Sequence, residues 1–232
     1  MALSGGNLNV RDITLRNIAR TKTGWTAGGD ATSTVTDLDR SGGGFSFATD
    51  NTDNDCSVLT YGGEMFDFGD VGCRSVLSFK MQWDPAGADT GGCFIGFSDT
   101  FSDATIGDTD ALGSQDAIGI FRPTNSAFFT TVAQNATSNS GELTTTALAA
   151  ATEYNVRIEV EGLTGGLTIR FYVDEDLIDT VTGFSYTNFG PELQLGVAIG
   201  NKGANVNTVS VYDMSVSRSE ERRVGKECRS RW

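Results

Sequence analysis

The feature that most constrains this chain is an alternation of apolar and polar residues with a period of two. A β-strand points successive side chains to opposite faces, so this pattern indicates strands with one buried and one solvated face. Clusters of Gly, Asn, Asp and Ser separate the runs, and no long stretch has helical periodicity. The sequence therefore predicts an all-β fold, an antiparallel β-sandwich. The clearest runs are SVLSFKMQWD (75–84), EYNVRIEVEG (153–162), GLTIRFYVDED (166–176) and LQLGVAIG (193–200).

Charge and missing residue types exclude several classes of function. The chain of 232 residues has 17 Lys and Arg against 30 Asp and Glu, a formal net charge of -13 at pH 7. Such a surface repels nucleic acid and anionic membranes, so we expect neither as a partner. The chain has no His, the commonest general base and metal ligand, and we expect no enzymatic activity. No apolar run is long enough to span a membrane, and the first residues lack the pattern of a signal peptide.

The chain is expected to divide into three segments. Residues 1–40 are weakly patterned and are predicted to form an N-terminal arm and linker, and residues 41–217 are predicted to form the sandwich. The basic tail RSEERRVGKECRSRW (218–232) matches the in-frame translation of a sequencing adapter. We interpret this tail as an artefact, and we expect the native chain to continue differently after Ser217.

The cysteines are predicted to be structural. Cys56, Cys73 and Cys93 lie in the sandwich segment and Cys228 lies in the tail, with no CxxC spacing. An odd number without paired spacing argues against a disulfide framework or a zinc site. We expect small buried thiols within strands.

Three consecutive elements resemble the closing half of a concanavalin A-like, laminin-G-like jelly roll. They are EYNVRIEVEG, LTIRFYVDEDLIDTVTGF and ELQLGVAIGNKGANVNTVSVYDMSVS. The earlier runs SVLSFKMQWD, GGCFIGFSDT and DAIGIFRP fit the same class, so the resemblance covers roughly residues 45–217. Within that class, FIGFSDT, DAIGIFRP…AFFTTVAQN and ATEYNVRIEVEG resemble capsid decoration or head-fibre proteins of tailed phages.

The resemblance to phage head proteins implies a non-enzymatic structural role in the virion, which is assembled in the cytoplasm of a bacterial host. It implies docking through the arm onto the major capsid protein or another shell protein, with a homotrimer on a local symmetry axis. A basic and apolar segment suits an acidic assembly. The docking residues expected on this basis are Arg11, Ile13, Leu15, Arg16 and Ile18.

The alternative function is a carbohydrate-binding or adhesin module that grips a surface glycan. Sugar sites favour exposed aromatic rings beside polar groups. Trp83 falls on the apolar face of its run, whereas one of the adjacent Phe128 and Phe129 must point outward if they lie in a strand. The sequence therefore offers Phe129 and Tyr172 as the best surface candidates.

Calcium is the one cofactor that the sequence leaves open. DNTDND supplies Asp50, Asp53 and Asp55, and GDTDALGSQD supplies a second set of carboxylates, Asp108, Asp110 and Asp116. Calcium prefers such oxygen ligands, but neither stretch matches an EF-hand loop. The simpler interpretation of both is an exposed acidic loop without a metal.

A glycosidase is the third and weakest interpretation. Glu159 and Glu161 share one face of a predicted strand, and glycosidases act through paired carboxylates. No aromatic platform accompanies this pair. We therefore expect Glu159 and Glu161 to lie on a solvated strand face and to have no catalytic role.

Overall fold

The chain is built almost entirely from β-strands. The structure, a computed structural model, describes residues 13–15, 18–20, 22–29, 34–41, 43–50, 56–66, 68, 71–84, 91–101, 112, 115–123, 129–135, 138–139, 148–185, 193–201 and 206–220. In these ranges one short 3-10 turn, η1 (Ile18–Arg20), accompanies the strands. No helix in this described part is long and apolar enough to cross a membrane. The strands are β1 (Ile13–Leu15), β2 (Trp25–Gly29), β3 (Thr34–Asp37), β4 (Gly44–Ala48), β5 (Cys56–Phe66), β6 (Cys73–Asp84), β7 (Gly91–Ser98), β8 (Ala117–Arg122), β9 (Thr130–Asn135), β10 (Ser138–Asn139), β11 (Glu153–Leu163), β12 (Gly166–Val173), β13 (Asp176–Phe184), β14 (Leu193–Asn201) and β15 (Thr208–Glu220).

The strands form two antiparallel sheets. Within the described ranges, the eight-stranded sheet has the order β13-β12-β11-β6-β15-β4-β3, and β1 also pairs with β15. The seven-stranded sheet has the order β10-β9-β8-β7-β14-β5-β2. β4 pairs with the first half of β15 and β1 with its second half. The predicted antiparallel sandwich is confirmed.

The main core lies between the sheets and follows the predicted alternation. In β6 every second side chain is buried, and Leu77, Phe79, Met81 and Trp83 are at most 3% exposed. The inward residues of β11, β12 and β14 join the same cluster. A buried Leu or Phe contributes about 2 kcal/mol to folding, so this layer holds the two sheets together.

Three neighbouring strands of the seven-stranded sheet, β7, β8 and β9, are buried on both faces, which the sequence pattern did not indicate. Every residue of β7, β8 and β9 is buried, and a second apolar cluster on their outer side includes Phe94 and Phe121. Phe101, from the segment after β7, packs onto this cluster. A Cβ atom on Gly196 would lie 2.6 Å from the Phe101 ring, so only glycine lets that ring approach the sheet so closely.

The described part of residues 1–40 contributes three strands, β1, β2 and β3, to the two sheets. Ile18 and Ala19 are buried in the main core, and the indole Nε1 of Trp25 donates a hydrogen bond to the carbonyl oxygen of Ile18 at 2.7 Å. The Trp25 ring packs edge-on against Phe45 and Tyr61. Where it is described, this segment is therefore part of the sandwich. Across the boundary expected at residue 41, β2 pairs with β5 and β3 pairs with β4.

The last strand extends beyond the expected end of the sandwich. β15 runs to Glu220, and its final residues pair with Cys73, Arg74 and Ser75 of β6. Arg218 also pairs with Ile13 of β1. Three residues of the excluded tail thus lie in a central strand, and residues 221–232 lie outside the described residues.

Cysteine burial is confirmed for the three cysteines described. Cys56, Cys73 and Cys93 are buried thiols that take part in no disulfide bond among the described residues. Burial raises the pKa of Cys93 to about 12, which keeps this thiol protonated and unreactive. Cys228 lies outside the described part of the chain.

Candidate functional site

The outer face of the eight-stranded sheet carries charged side chains in rows that cross the strands. The register places Glu161 of β11 opposite Arg74 of β6 and Thr168 of β12. Two residues along β11, Glu159 lies opposite Arg170 of β12. Alternation assigns these residues to the face away from the core, so pairing alone gathers guanidinium and carboxylate groups from three strands.

A cleft opens where the β11–β12 turn meets the start of β6 and the end of β15. We call it the hairpin cleft, and its volume is about 720 Å³. Two exposed apolar side chains form part of its wall, Val71 at 48% and Leu163 at 41% exposure. The described residues that line it are Val71, Gly72, Arg74, Glu161, Gly162, Leu163, Thr164, Arg170 and Ser219.

Ion pairs fix the charged groups of the hairpin cleft. Arg170 Nη1 donates to Glu161 Oε2 at 3.1 Å, and Arg74 Nη2 lies 2.8 Å from Glu159 Oε1. Arg157 also pairs with Glu159. Each carboxylate therefore faces at least one guanidinium group, and the planar groups are held in place before any ligand arrives.

The two glutamates share the outer face as predicted, but Glu159 is not solvated. It is only 4% exposed, because the side chains of Arg74 and Arg157 converge on its carboxylate. Glu161 is a third exposed and lines the hairpin cleft. Of the two carboxylates, Glu161 is thus the one that a ligand in the cleft can reach.

Tyr172 lies beside this charged network. It is half-buried on the outer face, and the guanidinium carbon of Arg157 is 3.7 Å from the centroid of its ring. One face of the ring is therefore covered by Arg157, in a cation–π contact. Its role in glycan binding stays a prediction.

Phe129 is not a surface residue. It is 4% exposed, and its ring packs edge-on against Trp83 in the main core at a centroid distance of 6.0 Å. The expectation of an exposed ring at Phe129 is wrong, because position 129 points into the sandwich. Phe128 lies outside the described residues.

The apolar residues expected to dock on a shell are used within the fold. Leu15 is half-buried against the main core and Ile18 is 9% exposed, while Ile13 pairs with Arg218 through the backbone. Burial is the physical reason that Leu15 and Ile18 do not form a free docking surface. Arg11 and Arg16 lie outside the described residues.

The structure describes only some of the aspartates that the sequence offers as calcium ligands. Asp53 and Asp55 lie outside the described residues, as do Asp108 and Asp110. The backbone oxygen of Asp50 accepts a hydrogen bond from Asn201 Nδ2 at 2.8 Å. Among the residues that the structure does describe, no group of three or more acidic, Cys or His side chains is placed to hold a metal ion.

Two aspartates, the half-buried Asp99 and the buried Asp116, meet where β7 ends and β8 begins, and the sequence reasoning missed Asp99. The backbone amide of Asp99 donates to the carbonyl oxygen of Asp116 at 3.1 Å, and Asp116 is 3% exposed. Asp99 Oδ1 is buried with no hydrogen-bond partner among the described residues. Burial raises the pKa of Asp99, and the charge of Asp116 adds to the rise. The available signal was an aspartate placed directly after a buried strand, in GFSDT.

Comparison with known proteins gives structural neighbours only. No protein-family model matches the chain, and no curated protein matches it. Arcelin-5, a lectin-like defence protein from Phaseolus vulgaris, is 10% identical with a TM-score of 0.63, over 91% of this chain and 100% of its own. Peanut lectin in complex with a nine-residue peptide is 14% identical with a TM-score of 0.56, over 89% and 96%. An endo-beta-1,4-glucuronan lyase from the fungus Trichoderma reesei is 10% identical with a TM-score of 0.54, over 84% and 91%.

Such low identities establish the fold and leave the activity open. The neighbours include lectins and a lyase, and they give no support to the expected resemblance to phage head proteins. The chain therefore has the concanavalin A-like jelly-roll fold of the lectins, as the sequence predicted.

Proposed function

We propose that this protein is a non-catalytic carbohydrate-binding module that holds a neutral glycan in the hairpin cleft. The observation that carries the proposal is the lining of the cleft, where Arg74, Glu161 and Arg170 stand beside exposed Val71 and Leu163. A sugar hydroxyl both donates and accepts hydrogen bonds, so a fixed Arg–Glu pair satisfies it in both directions. The apolar side chains suit the C–H face of a sugar ring.

The charge balance of the cleft favours a neutral ligand. Arg170 pairs with Glu161 and Arg74 pairs with Glu159, which leaves little surplus positive charge for an anion. The whole chain carries a formal charge of -13 and repels polyanions at long range. A hydroxyl-rich, uncharged polysaccharide meets neither obstacle.

The arrangement of the carboxylates supports binding over hydrolysis. A glycosidase places two carboxyl groups on either side of the bond that it breaks. Here Glu159 is buried beneath Arg74 and Arg157, so a ligand in the cleft meets Glu161 alone. Carbohydrate recognition domains are among the structural neighbours, namely those of Emp46p and Emp47p.

The virion role stays a prediction from the sequence. It relied on a free arm, and docking through Leu15 and Ile18 would require both side chains to leave the sandwich. Shell partner, homotrimer and location in a virion remain expectations that depend on that role. Binding of the chain to purified phage capsids would test them.

The glycan-binding proposal is tested by a screen of neutral and uronate-containing polysaccharides, followed by affinity measurements with the strongest binder. Arg170→Ala and Glu161→Ala should each weaken binding about tenfold or more, because each loses a hydrogen bond between the ligand and a charged group. Arg40→Ala is the matched control: its pair with Glu153 at 3.0 Å lies on the same sheet outside the cleft. Absence of any glycan binding, or an equal loss in the Arg40 variant, would contradict the proposal.

A further inference from the structure

A second depression lies on the same outer face, further along β11. We call it the strand depression, and its volume is about 200 Å³. Its polar lining consists of Ser78, Lys80, Asn155, Arg157, Glu175 and Asp213. Its polar side chains come from β6, β11, β15 and the β12–β13 turn, so it is built by the same strand register as the hairpin cleft.

The polar groups of the strand depression are held in fixed positions. Lys80 Nζ lies 3.2 Å from Asp213 Oδ2, and Asp213 stands at an irregularity in β15 with a positive φ of 49°. Asp174 Oδ1 accepts hydrogen bonds from the backbone amide and from the side-chain Nδ2 of Asn155, at 2.8 Å and 3.0 Å. Positively charged donors and negatively charged acceptors therefore face one small space, as they do in the hairpin cleft.

A chain of ion pairs joins the two depressions. Arg157 lines the strand depression and Arg74 lines the hairpin cleft, and both guanidinium groups hold the carboxylate of Glu159 between them. At the far end, Arg157 Nη2 is 3.6 Å from Glu175 Oε2. From Arg157 to Glu161, four residues of extended strand span roughly 13 Å, which is longer than a single sugar ring.

We propose that the two depressions form one binding track along β11, and that its ligand is a linear neutral oligosaccharide that occupies both. This inference rests on the glycan-binding function proposed above and specifies its substrate class as an internal chain segment instead of a single terminal sugar. The groups along the track are paired with opposite charges, so a neutral chain can cross the ridge of Arg157, Glu159 and Arg74 without charge repulsion. Tyr172, stacked on Arg157, flanks this ridge.

The test is the dependence of affinity on chain length. Titration calorimetry would use the intact protein with cello-, manno- and laminari-oligosaccharides, from disaccharide to hexasaccharide. We expect affinity to rise with length in at least one series until both depressions are filled. Lys80→Ala should weaken hexasaccharide binding about three- to tenfold, the effect of losing one hydrogen bond, and leave disaccharide binding unchanged. Arg170→Ala should weaken both, and Lys22→Ala, at an exposed lysine that lines neither depression, should weaken neither.

The outcomes separate the track from the proposed function. Equal affinity for disaccharide and hexasaccharide, with binding still lost in the Arg170 variant, would overturn the track and leave the glycan-binding module standing. A Lys80 variant with unchanged hexasaccharide affinity would also overturn it. Absence of binding in every series would overturn both proposals. Thermal unfolding of each variant checks that a loss of affinity is not a loss of fold.

Discussion

At the scale of single residues, Asp99 is the group through which pH should act on stability. Burial, together with the nearby charge of Asp116, raises its pKa above the usual 3.8. The folded protein then keeps a proton that the unfolded chain has already lost. Stability therefore falls as pH rises from about the usual value through the raised value, and below this window Asp99 is protonated in both states.

The substitution Asp99→Asn should remove this pH-dependent loss of stability. The variant should gain stability relative to the natural chain as pH rises through the window, because Asn carries no charge to desolvate. Urea unfolding at a series of pH values between about 3 and 7 measures the difference. The exposed Asp39, replaced by Asn, controls for the change in net charge. If the free energies of unfolding of the Asp99→Asn variant and the natural chain differ by the same amount at every pH, Asp99 is not the group responsible.

At the scale of elements, β1 and η1 are expected to stabilise the sandwich. They place Ile18 and Ala19 in the main core, and β1 pairs with the second half of β15. Deleting residues 1–20 should lower the free energy of unfolding by about 3 kcal/mol, mainly through the lost apolar burial. Urea unfolding measures this change. A shorter deletion, residues 1–12, keeps both elements and should have a much smaller effect, so equal stability of the two truncated chains would refute the prediction.

The elements that sequence could predict are those with one buried and one polar face. The runs at 75–84, 153–162 and 193–200 coincide with β6, β11 and β14 to within two residues at each end. β7 and β8 were harder to define, since both of their faces are buried and alternation disappears. β1 has too few residues to show a period, and the extension of β15 to Glu220 is set by its pairing with β6.

The candidate site was only partly accessible to sequence reasoning. Alternation correctly placed Glu159 and Glu161 on one face, and a face assignment needs no tertiary information. The hairpin cleft depends on which strands become neighbours: Arg74 and Glu161 are far apart in sequence and meet through the β6–β11 register. The burial of Glu159 follows from the same cross-strand contacts, which is why it was expected to be solvated.

At the scale of the whole molecule, the hairpin cleft and the aspartates at the β7–β8 end are separate regions, and we expect them to respond differently to calcium. The hairpin cleft lies on the eight-stranded sheet, and its donors and acceptors belong to protein side chains. The carboxylates of Asp99 and Asp116 lie where β7 and β8 of the seven-stranded sheet meet, and such oxygens are the ligands that calcium prefers. Dependence on calcium can therefore distinguish the two regions.

We expect glycan binding to be insensitive to calcium, because fixed Arg–Glu pairs in the hairpin cleft already provide the hydrogen bonds to hydroxyl groups. Affinity for the best neutral glycan would be measured with excess EDTA and again with added calcium. Parallel measurements on Arg170→Ala and Asp99→Asn assign any effect to one region. If EDTA and Asp99→Asn abolish binding while Arg170→Ala has no effect, the ligand lies at the β7–β8 end and the hairpin cleft is not the site. Loss of binding in the Arg170 variant alone, with or without EDTA, assigns the glycan to the cleft.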